Sequence, residues 1–342
     1  MIARMGMLST GVVLAAMMLL GGCATQLMPP GPAIRQPTVT DGAFVMADGM
    51  RLPYRAWLPE GAPKAVVLAL HGMNDSRDAF EYPAPAFAAA GLAVFAPDQR
   101  GFGATASRSF WPGAEGLVGD ARAMAALLRA RYPGVKLFLM GESMGAAVLM
   151  VAATSPAPPP ADGYVLIAPA VWGRAKMNIF LRATLWTAAN TVPGWSLTGR
   201  GIVKITASDN REALIRLSRD PLTLHATRVD AIHGLVNLMD AALAAAPGFH
   251  ARALFMYGGH DQLVPPRATE ATWKALPFGP VRAFYPRGYH LMLRDKERGV
   301  PIGDIIDWIL RSDWSGLASG ADKVASLCPS TVVPAPCPAR IP

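Results

Sequence analysis

The sequence predicts an α/β fold in which a mostly parallel central sheet carries helices on both faces and an inserted helical cap. Strand and helix patterns alternate from about residue 43 to about residue 312, the alternation stops between about residues 170 and 230, and 52% of the 342 residues are hydrophobic. Repeated βα units favour parallel strands joined by right-handed crossovers. The interruption follows a strand and is interpreted as a cap insertion. The apolar content suffices for one large domain over residues 43–314.

The predicted strands and helices follow a regular order along this domain. Strands at 43–46 and 51–58 flank Asp48-Gly49, a strong turn pair for an antiparallel hairpin. A continuous apolar run at 65–70 fits a central strand buried on both faces. The remaining elements are a helix at 82–90 that ends at Gly91, a strand at 92–96, a helix at 117–132, strands at 136–140, 164–168 and 253–257, a helix at 269–276, a strand at 281–285 and a helix at 302–310.

The first 22 residues are interpreted as a signal peptide. Arg4 precedes an uncharged apolar run at 5–20 that is short for a membrane span and ends in small residues. The following Leu20-Gly21-Gly22-Cys23 resembles the lipobox of bacterial lipoproteins, although Gly21 is a less common residue at its position. The resemblance implies that Cys23 becomes the lipidated first residue of the mature chain and attaches it to a membrane. An ordinary secretory signal and an uncleaved anchor helix are the alternatives.

Both ends of the mature chain are rich in proline. Residues 23–42 contain four prolines and are expected to form an extended, solvated tether, and five prolines exclude a regular helix from the tail at 315–342. Cys328 and Cys337 lie in this tail, where an oxidising exported compartment would let them form a structural disulfide; two free thiols are the alternative. Ala24, rather than aspartate, follows Cys23. By resemblance to the sorting pattern of two-membrane bacteria, this favours a lipid-anchored protein of the cell envelope at the outer membrane.

The charged residues do not indicate nucleic-acid binding. The net charge is +8, from 32 Lys and Arg against 24 Asp and Glu, but the chain has no dense basic run and no aromatic-basic RNA motif. For a membrane-tethered protein, weak attraction to anionic lipid headgroups is a simpler explanation of this charge than nucleic-acid binding. An ordinary solvated surface is the alternative that needs no partner. H-E-x-x-H, Cys/His ligand spacing and the phosphate-binding G-x-x-x-x-G-K are also missing from the sequence, so we expect no metal or nucleotide site.

The most informative segment is Gly141-Glu142-Ser143-Met144-Gly145. It directly follows the predicted strand at 136–140 and precedes a small-residue helical pattern at 146–153. This strand–turn–helix context is typical of a nucleophile elbow, in which a strained turn presents the serine hydroxyl above the sheet. The flanking glycines avoid clashes in such a turn. Ser143 is therefore the candidate nucleophile, and a chance match in a Gly-rich loop is the alternative.

Two further side chains lie in loops that follow predicted strands. His290 follows the last strand, and Asp261 follows the strand at 253–257. Because such loops meet at the carboxyl edge of a parallel sheet, we expect His290 to act as a base and Asp261 to orient its imidazole. His260 is a rival base, but adjacent side chains in an extended loop diverge. The other histidines are interpreted as surface, packing or loop-bracing residues, and they are His71, His225, His233 and His250.

Backbone amides are expected to form an oxyanion hole beside Ser143. One is the amide of Met144, directly after the serine, and the second is assigned to Met73, in the loop after the strand at 65–70. Gly72 lets this loop turn inwards. The charged loop at 98–103 follows another strand and is expected to have a structural role.

Five motifs in order resemble the α/β-hydrolase superfamily, and in particular its monoacylglycerol lipase and lysophospholipase branch. The motifs are His71-Gly72, Asp98-x-Arg-Gly-x-Gly103, Gly141-Glu-Ser-Met-Gly145, Gly259-His-Asp261 and Gly288-Tyr-His290. The resemblance covers about residues 43–312 and implies a Ser143–His290–Asp261 triad, oxyanion amides at Met73 and Met144, and no cofactor. Glu142 departs from the branch, which more often has histidine at this position.

The expected function is that of a serine esterase or lipase acting on monoacylglycerols or lysophospholipids through an acyl-enzyme, with small soluble esters as the other ester class. A peptidase or thioesterase on the same triad, and a non-catalytic envelope-binding protein, are the alternatives. The apolar cap is expected to supply an acyl-chain pocket, or else simply to pack onto the core. The candidate pocket residues are Trp172, Phe180, Leu181, Leu185 and Trp186.

Overall fold

A nine-stranded sheet is the centre of the computed structural model, which describes residues 25–198, 205–311 and 316–323. Its strands are β1 (Thr38–Thr40), β2 (Ala43–Val45), β3 (Arg51–Trp57), β4 (Ala65–Leu70), β5 (Leu92–Pro97), β6 (Lys136–Glu142), β7 (Gly163–Ile167), β10 (Ala253–Gly258) and β11 (Val281–Tyr285); β8 (Ser196–Leu197) and β9 (Thr227–Arg228) form a separate antiparallel pair. The order in the sheet is β1-β2-β3-β5-β4-β6-β7-β10-β11. The six strands from β5 to β11 in this order are parallel, and β1 to β3 add an antiparallel edge.

Helices cover both faces of this sheet. They are α1 (Ala84–Ala89), α2 (Ala114–Arg131), α3 (Met144–Ala153), α4 (Ile179–Thr191), α5 (Arg211–Arg219), α6 (Val229–Ala245), α7 (Pro266–Ala275) and α8 (Gly299–Leu310). In β4, Val66 and Leu68 point into one core with α2, α3, α6 and α7, whereas Ala65 and Val67 point into a second core with α1 and α8. Side chains alternate along a strand, so an apolar run without polar residues is what a strand buried on both faces requires. The predicted mostly parallel α/β fold is confirmed.

The proline-rich segment before the domain differs from a fully solvated tether. Thr38–Thr40 pairs with Ala43–Val45 as the edge strand of the sheet, so the sheet begins earlier than the predicted hairpin. Upstream of this strand the backbone N–H of Met28 donates to the carbonyl of Trp111 at 3.0 Å. Proline favours extended backbone, and an extended segment whose remaining N–H groups find acceptors on the domain packs on it without forming a helix.

The cap region lies between β7 and α6. It contains α4, α5 and the short pair β8–β9, and two-residue strands are too short to give an alternating pattern in the sequence. Helix α6 was not predicted from the sequence. The segment Val229–Gly248 is long and apolar enough to span a membrane, with a mean hydropathy of 1.3, but α6 packs on α2 and α3, buries Leu238 and Ala242 in the core that it shares with them, and is a core helix.

Part of the C-terminal tail packs on the domain. Leu317 and Ala321 are buried in the second core, and the Ser319 hydroxyl donates to Asp304 Oδ2 at 2.5 Å. Cys23, Cys328 and Cys337 lie outside the described residues, as does the predicted signal peptide. Lipidation and the disulfide therefore stay predictions.

Candidate active site

Ser143 occupies a strained turn between β6 and α3. Its backbone has φ 54° and ψ −112°, in the left-handed half of conformational space that non-glycine residues rarely adopt. A Cβ at Gly141 would lie 2.5 Å from the nitrogen of Ala146, and one at Gly145 would overlap the carbonyl oxygen of Leu70. Both flanking glycines are thus required sterically, and the sharp turn of a nucleophile elbow is present.

The topology places the predicted site residues at one edge of the sheet. Ser143, Asp261 and His290 follow the carboxyl ends of β6, β10 and β11, and these strands run parallel with only β7 between β6 and β10. His290 Nδ1 lies 2.8 Å from Asp261 Oδ2, and both residues are buried. The other oxygen of Asp261 accepts the backbone N–H groups of Leu263 and Val264 at 2.8 and 2.9 Å, which fixes the carboxylate.

The imidazole of His290 is fixed in one tautomer by its surroundings. Burial lowers its pKa, but the charge of Asp261 and its hydrogen bond, with a further contribution from Glu142, outweigh burial and raise the pKa above the ordinary 6.5. An ionised carboxylate only accepts hydrogen bonds, so Nδ1 carries the proton and donates it to Asp261. The lone pair of Nε2 is then available to accept a proton.

The loop after β4 lies directly against the serine. A Cβ at Gly72 would be 3.4 Å from the Cβ of Ser143. His71 braces this loop, as predicted: the backbone N–H of Gln99 donates to His71 Nε2 at 3.0 Å, so the opposite nitrogen, Nδ1, donates to the carbonyl of Gly72 at 2.7 Å. Burial lowers the pKa of His71, which favours this neutral tautomer.

The two predicted oxyanion amides flank this contact. Met144 is the first residue of α3, where a backbone N–H has no acceptor within its own helix, and Met73 directly follows Gly72. The next residue, Asn74, has φ 66° and is bonded to the cap. Its carbonyl accepts the N–H of Leu224 at 2.8 Å, and its side-chain amide donates to Thr227 Oγ1 at 2.6 Å. We call these two bonds the cap clasp.

A buried ion network beneath the site was not predicted from the sequence. Arg294 pairs with Asp75, lies 3.8 Å from Glu142 Oε2, and donates from Nε to the carbonyl of Ala79 at 3.1 Å. Burial raises the pKa of Glu142 to about 7 against the opposing effect of Arg294. The only sequence signal is position: Asp75 follows the loop of Met73, Glu142 precedes Ser143, and Arg294 follows His290 by four residues.

The remaining histidines and the loop at 98–103 have other roles. His260 is exposed and contacts Tyr289 edge-on, with 5.1 Å between ring centroids. His225 and His250 are exposed, and His233 is half-buried. In the charged loop, Asp98 accepts the backbone N–H and the guanidinium of Arg77, and Arg100 pairs with Asp48 and Asp120. These contacts fix loops, in agreement with the structural role predicted for 98–103.

The structure corrects the predicted acyl pocket. Phe180 and Trp186 are 80% and 66% exposed, and Leu181 is also exposed, so these side chains do not line an enclosed pocket. Trp172 is half-buried against the main core and Leu185 is half-buried. Helix α4 fully buries only Ala189, and apolar composition alone does not reveal which face of a cap helix meets the core.

Comparisons with known proteins agree with this fold. Monoacylglycerol lipase of Mycolicibacterium smegmatis is 25% identical over 276 residues, which cover 80% of this chain and 98% of the relative. Monoglyceride lipase of Rattus norvegicus is 28% identical over 257 residues, covering 74% and 84%. The crystal structure of Paleococcus ferrophilus monoacylglycerol lipase matches with a TM-score of 0.64 at 22% identity, over 76% of this chain and 98% of that chain, and shows the same α/β-hydrolase fold.

A family model matches more than half of the sequence. It is the model described as serine aminopeptidase, S33, and it matches residues 61–297, from just before β4 to just beyond the loop of His290. This range includes the elbow of Ser143 and the loop of Asp261. The chain therefore belongs to the serine aminopeptidase S33 family of α/β hydrolases.

Proposed function

We propose that this protein is a serine hydrolase that cleaves carboxylic esters, with monoacylglycerols or lysophospholipids as its substrate class. The observation that carries the proposal is the buried His290–Asp261 pair, 2.8 Å between Nδ1 and Oδ2, at the same sheet edge as the strained elbow of Ser143. A serine hydroxyl is a weak nucleophile and needs an oriented base. Relatives with long coverage are named monoacylglycerol or monoglyceride lipase, which supports an ester substrate with one acyl chain.

In the proposed reaction, Ser143 Oγ attacks the ester carbonyl carbon while His290 Nε2 accepts the hydroxyl proton. The amides of Met73 and Met144 donate to the oxygen that becomes negative. The bond to the alcohol then breaks, and His290 returns the proton to the leaving oxygen. A water molecule attacks the acyl-enzyme with His290 again as base, which releases the carboxylic acid and restores Ser143. Asp261 holds the imidazole and stabilises its protonated form.

The cap sets how a substrate reaches this chemistry. Next to Met73 the structure leaves a cavity of only about 10 Å³ between the oxyanion loop and the cap residues Leu224 and Thr227. The cap clasp bridges the same gap, so we infer that Leu224 and Thr227 move away when a substrate enters between this loop and the cap. The exposed apolar side chains of α4 support a lipid environment as the source of the substrate.

Fluorophosphonate labelling tests the nucleophile. We expect the wild type to be labelled and Ser143→Ala to lose both labelling and at least about a thousandfold of turnover, because triad members act as a unit. Ser155→Ala is the matched control, since Ser155 follows the other end of α3 and its hydroxyl donates to the carbonyl of Ala152 and accepts from Arg122, away from Ser143. Retained labelling in Ser143→Ala would identify a different nucleophile. An unreactive but folded wild type would instead support the non-catalytic binding function.

A substrate panel tests the ester class. It contains p-nitrophenyl esters from short to long chains, a monoacylglycerol, a lysophospholipid, an acyl thioester and an aminoacyl p-nitroanilide. We expect the highest kcat/KM on the two lipids. The amide belongs in the panel because the matching family is described as serine aminopeptidase, which favours a peptidase as the second candidate. Faster cleavage of the anilide than of every ester would replace the proposed function by this one.

We also propose that Cys23 carries lipid and anchors the protein in the cell envelope, at the outer membrane. The proposal is supported by Leu20-Gly21-Gly22-Cys23 after a short apolar run and by Ala24 after the cysteine. Cys23→Ser should move the protein from the membrane fraction to the soluble fraction of cells. A variant that stays in the membrane fraction would show that the attachment does not depend on this cysteine.

A further inference from the structure

The segment between the anchor position and the sheet lies against the domain surface. We call residues 25–34 the N-terminal strap. Backbone N–H groups at its two ends reach acceptors on the domain: Gln26 donates to Asp230 Oδ2 at 3.3 Å, and Ile34 donates to the carbonyl of Ala47 at 2.8 Å. Between them, the N–H of Met28 is also bonded to the domain. A segment with donors satisfied along its length follows one path over the surface.

Two contacts in the middle of the strap agree with the same path. Pro30 lies so close to Gly116 of α2 that a Cβ there would be 2.9 Å from the proline ring, and the N–H of Gly31 donates to Asp48 Oδ2 at 3.1 Å. Asp48 is itself paired with the buried Arg100. The strap is therefore attached to the rigid part of the domain at its middle as well as at its ends.

The beginning of the strap lies beside the end of the cap helix. Asp230, which accepts the N–H of Gln26, donates its own N–H to the carbonyl of Pro193 at 2.9 Å. The neighbouring N–H of Val229 donates to the carbonyl of Trp195 at 2.8 Å. Cys23 precedes Gln26 by three residues, which span at most about 10 Å when fully extended. A lipid on Cys23 would thus emerge close to the segment that follows α4.

This part of the cap has an exposed apolar surface. Within the described residues from 179 to 195, the large apolar side chains that are exposed are Ile179, Phe180, Leu181, Trp186, Val192 and Trp195. Helix α4 contains one charged residue, Arg182, and no acidic residue. Exposed apolar side chains, two of them tryptophans, with a positive charge among them match a membrane surface that contains anionic lipid.

We propose that the N-terminal strap holds the anchored end of the chain beside α4, so that the lipid on Cys23 and the exposed apolar side chains of the cap enter the same bilayer. This inference rests on the lipid anchor proposed above. The lipid on Cys23 attaches the chain to the membrane, and a second apolar contact held nearby fixes the orientation through a high effective concentration. The strap thereby fixes the orientation of the domain, with the cap towards the lipid that contains the substrate.

The test uses the full-length lipidated protein in vesicles of phosphatidylethanolamine and phosphatidylglycerol that contain a brominated lipid. An NBD fluorophore is attached to Phe180→Cys in a background with Cys328→Ser and Cys337→Ser. Phe278→Cys is the matched control, because Phe278 is a fully exposed aromatic residue in the loop before β11, outside the cap. We expect blue-shifted emission and several-fold stronger quenching by the brominated lipid at position 180 than at position 278.

The role of the strap is tested by removing its backbone donors. In the double variant Gln26→Pro and Met28→Pro, the N–H groups that bond to Asp230 and Trp111 are absent, whereas Gln26→Ala keeps its N–H and is the control. We expect the double variant to stay in the vesicles and to hydrolyse a short soluble ester at the wild-type rate, which shows that it is folded. Its quenching at position 180 should fall to the level at position 278.

Each other outcome overturns the proposal at a different step. Equal quenching at positions 180 and 278 in the wild type would show that the cap does not enter the bilayer. Strong quenching at 180 that survives in the double proline variant would show that the strap does not set the orientation. Failure of the protein to bind vesicles would refute the lipid anchor, and with it this inference. Fluorophosphonate labelling of Ser143 would still report the catalytic proposal independently.

Discussion

Replacement of Arg294 by methionine is predicted to destabilise the protein by about 3–5 kcal/mol. Arg294 is buried and compensates the charge of Asp75, which is buried as well. Methionine removes the positive charge and the donor to the carbonyl of Ala79, and leaves the carboxylate of Asp75 without a counter-ion. Breaking a buried pair from one side has this cost because the remaining charge stays desolvated.

The effect is measured by urea unfolding of wild type and variant, followed by circular dichroism and by thermal scans. At about 2 °C per kcal/mol, the expected loss lowers Tm by roughly 6–10 °C. Arg287→Met is the matched control, because Arg287 pairs with Glu297 on the surface, where the two side chains are 76% and 50% exposed. An exposed pair contributes about 0–1 kcal/mol. Similar losses in the two variants would refute the reasoning that burial makes the Arg294 pair important.

Glu142→Gln tests the same buried network and is expected to stabilise the protein at high pH, whereas Arg294→Met destabilises it. Burial raises the pKa of Glu142 from its ordinary 4.5 to about 7, so the folded state binds this proton more tightly than the unfolded state does. The contribution of this proton to the free energy of unfolding is fully present below pH 4.5 and is lost as the pH rises through about 7. Glutamine is neutral at every pH. The stability of the variant relative to wild type should therefore rise between pH 5 and pH 8, by up to about 3 kcal/mol.

Three further predictions concern the site. Asp261→Asn should lower kcat by about 10⁴-fold through loss of the correct tautomer of His290, whereas wild-type rates in steady-state assays would point to another acid. Asp261 raises the pKa of His290 above 6.5 in spite of burial, so kcat/KM of the wild type should fall at low pH with a midpoint above pH 6.5. In Asp261→Asn this midpoint should move to lower pH. An unchanged midpoint in the pH–rate profile would contradict the coupling. Gly145→Ala should lower the free energy of unfolding, measured with urea, by about 3 kcal/mol or more, because the added methyl group overlaps the carbonyl of Leu70. Gly119→Ala, in an open part of α2, is the control and should raise the free energy of unfolding by about 0.5–1 kcal/mol.

Local patterns were sufficient to predict most strands of the sheet and the loops that carry the candidate site residues. The run at 65–70 is apolar on both faces because β4 lies between two cores, and Ser143, Asp261 and His290 could be assigned because each follows such a strand. Side-chain alternation and the succession of strands along the chain are properties that the sequence displays directly.

The missed features depend on contacts that only the tertiary fold creates. Arg294 and Asp75 lie 219 residues apart, and each alone resembles an ordinary charged loop residue. The exposure of Phe180 could not be predicted, because an apolar helix has the same composition whether it faces a core or a membrane. The residues of the strap are exposed, as expected for a solvated tether, but its backbone hydrogen bonds to the domain could not be predicted, since proline-rich composition describes backbone conformation and not the surface on which the backbone lies.

The cap clasp would couple the entry of substrate to the position of the oxyanion loop. Leu224 and Thr227 belong to the cap, whereas Asn74, to which both are bonded, directly follows the proposed oxyanion donor Met73. A cap that swings outwards breaks both bonds and releases the loop that must receive the negative oxygen. The oxyanion loop is then positioned for full transition-state stabilisation only after the cap has closed over the bound substrate. This limits unproductive attack by Ser143 while the cap is open.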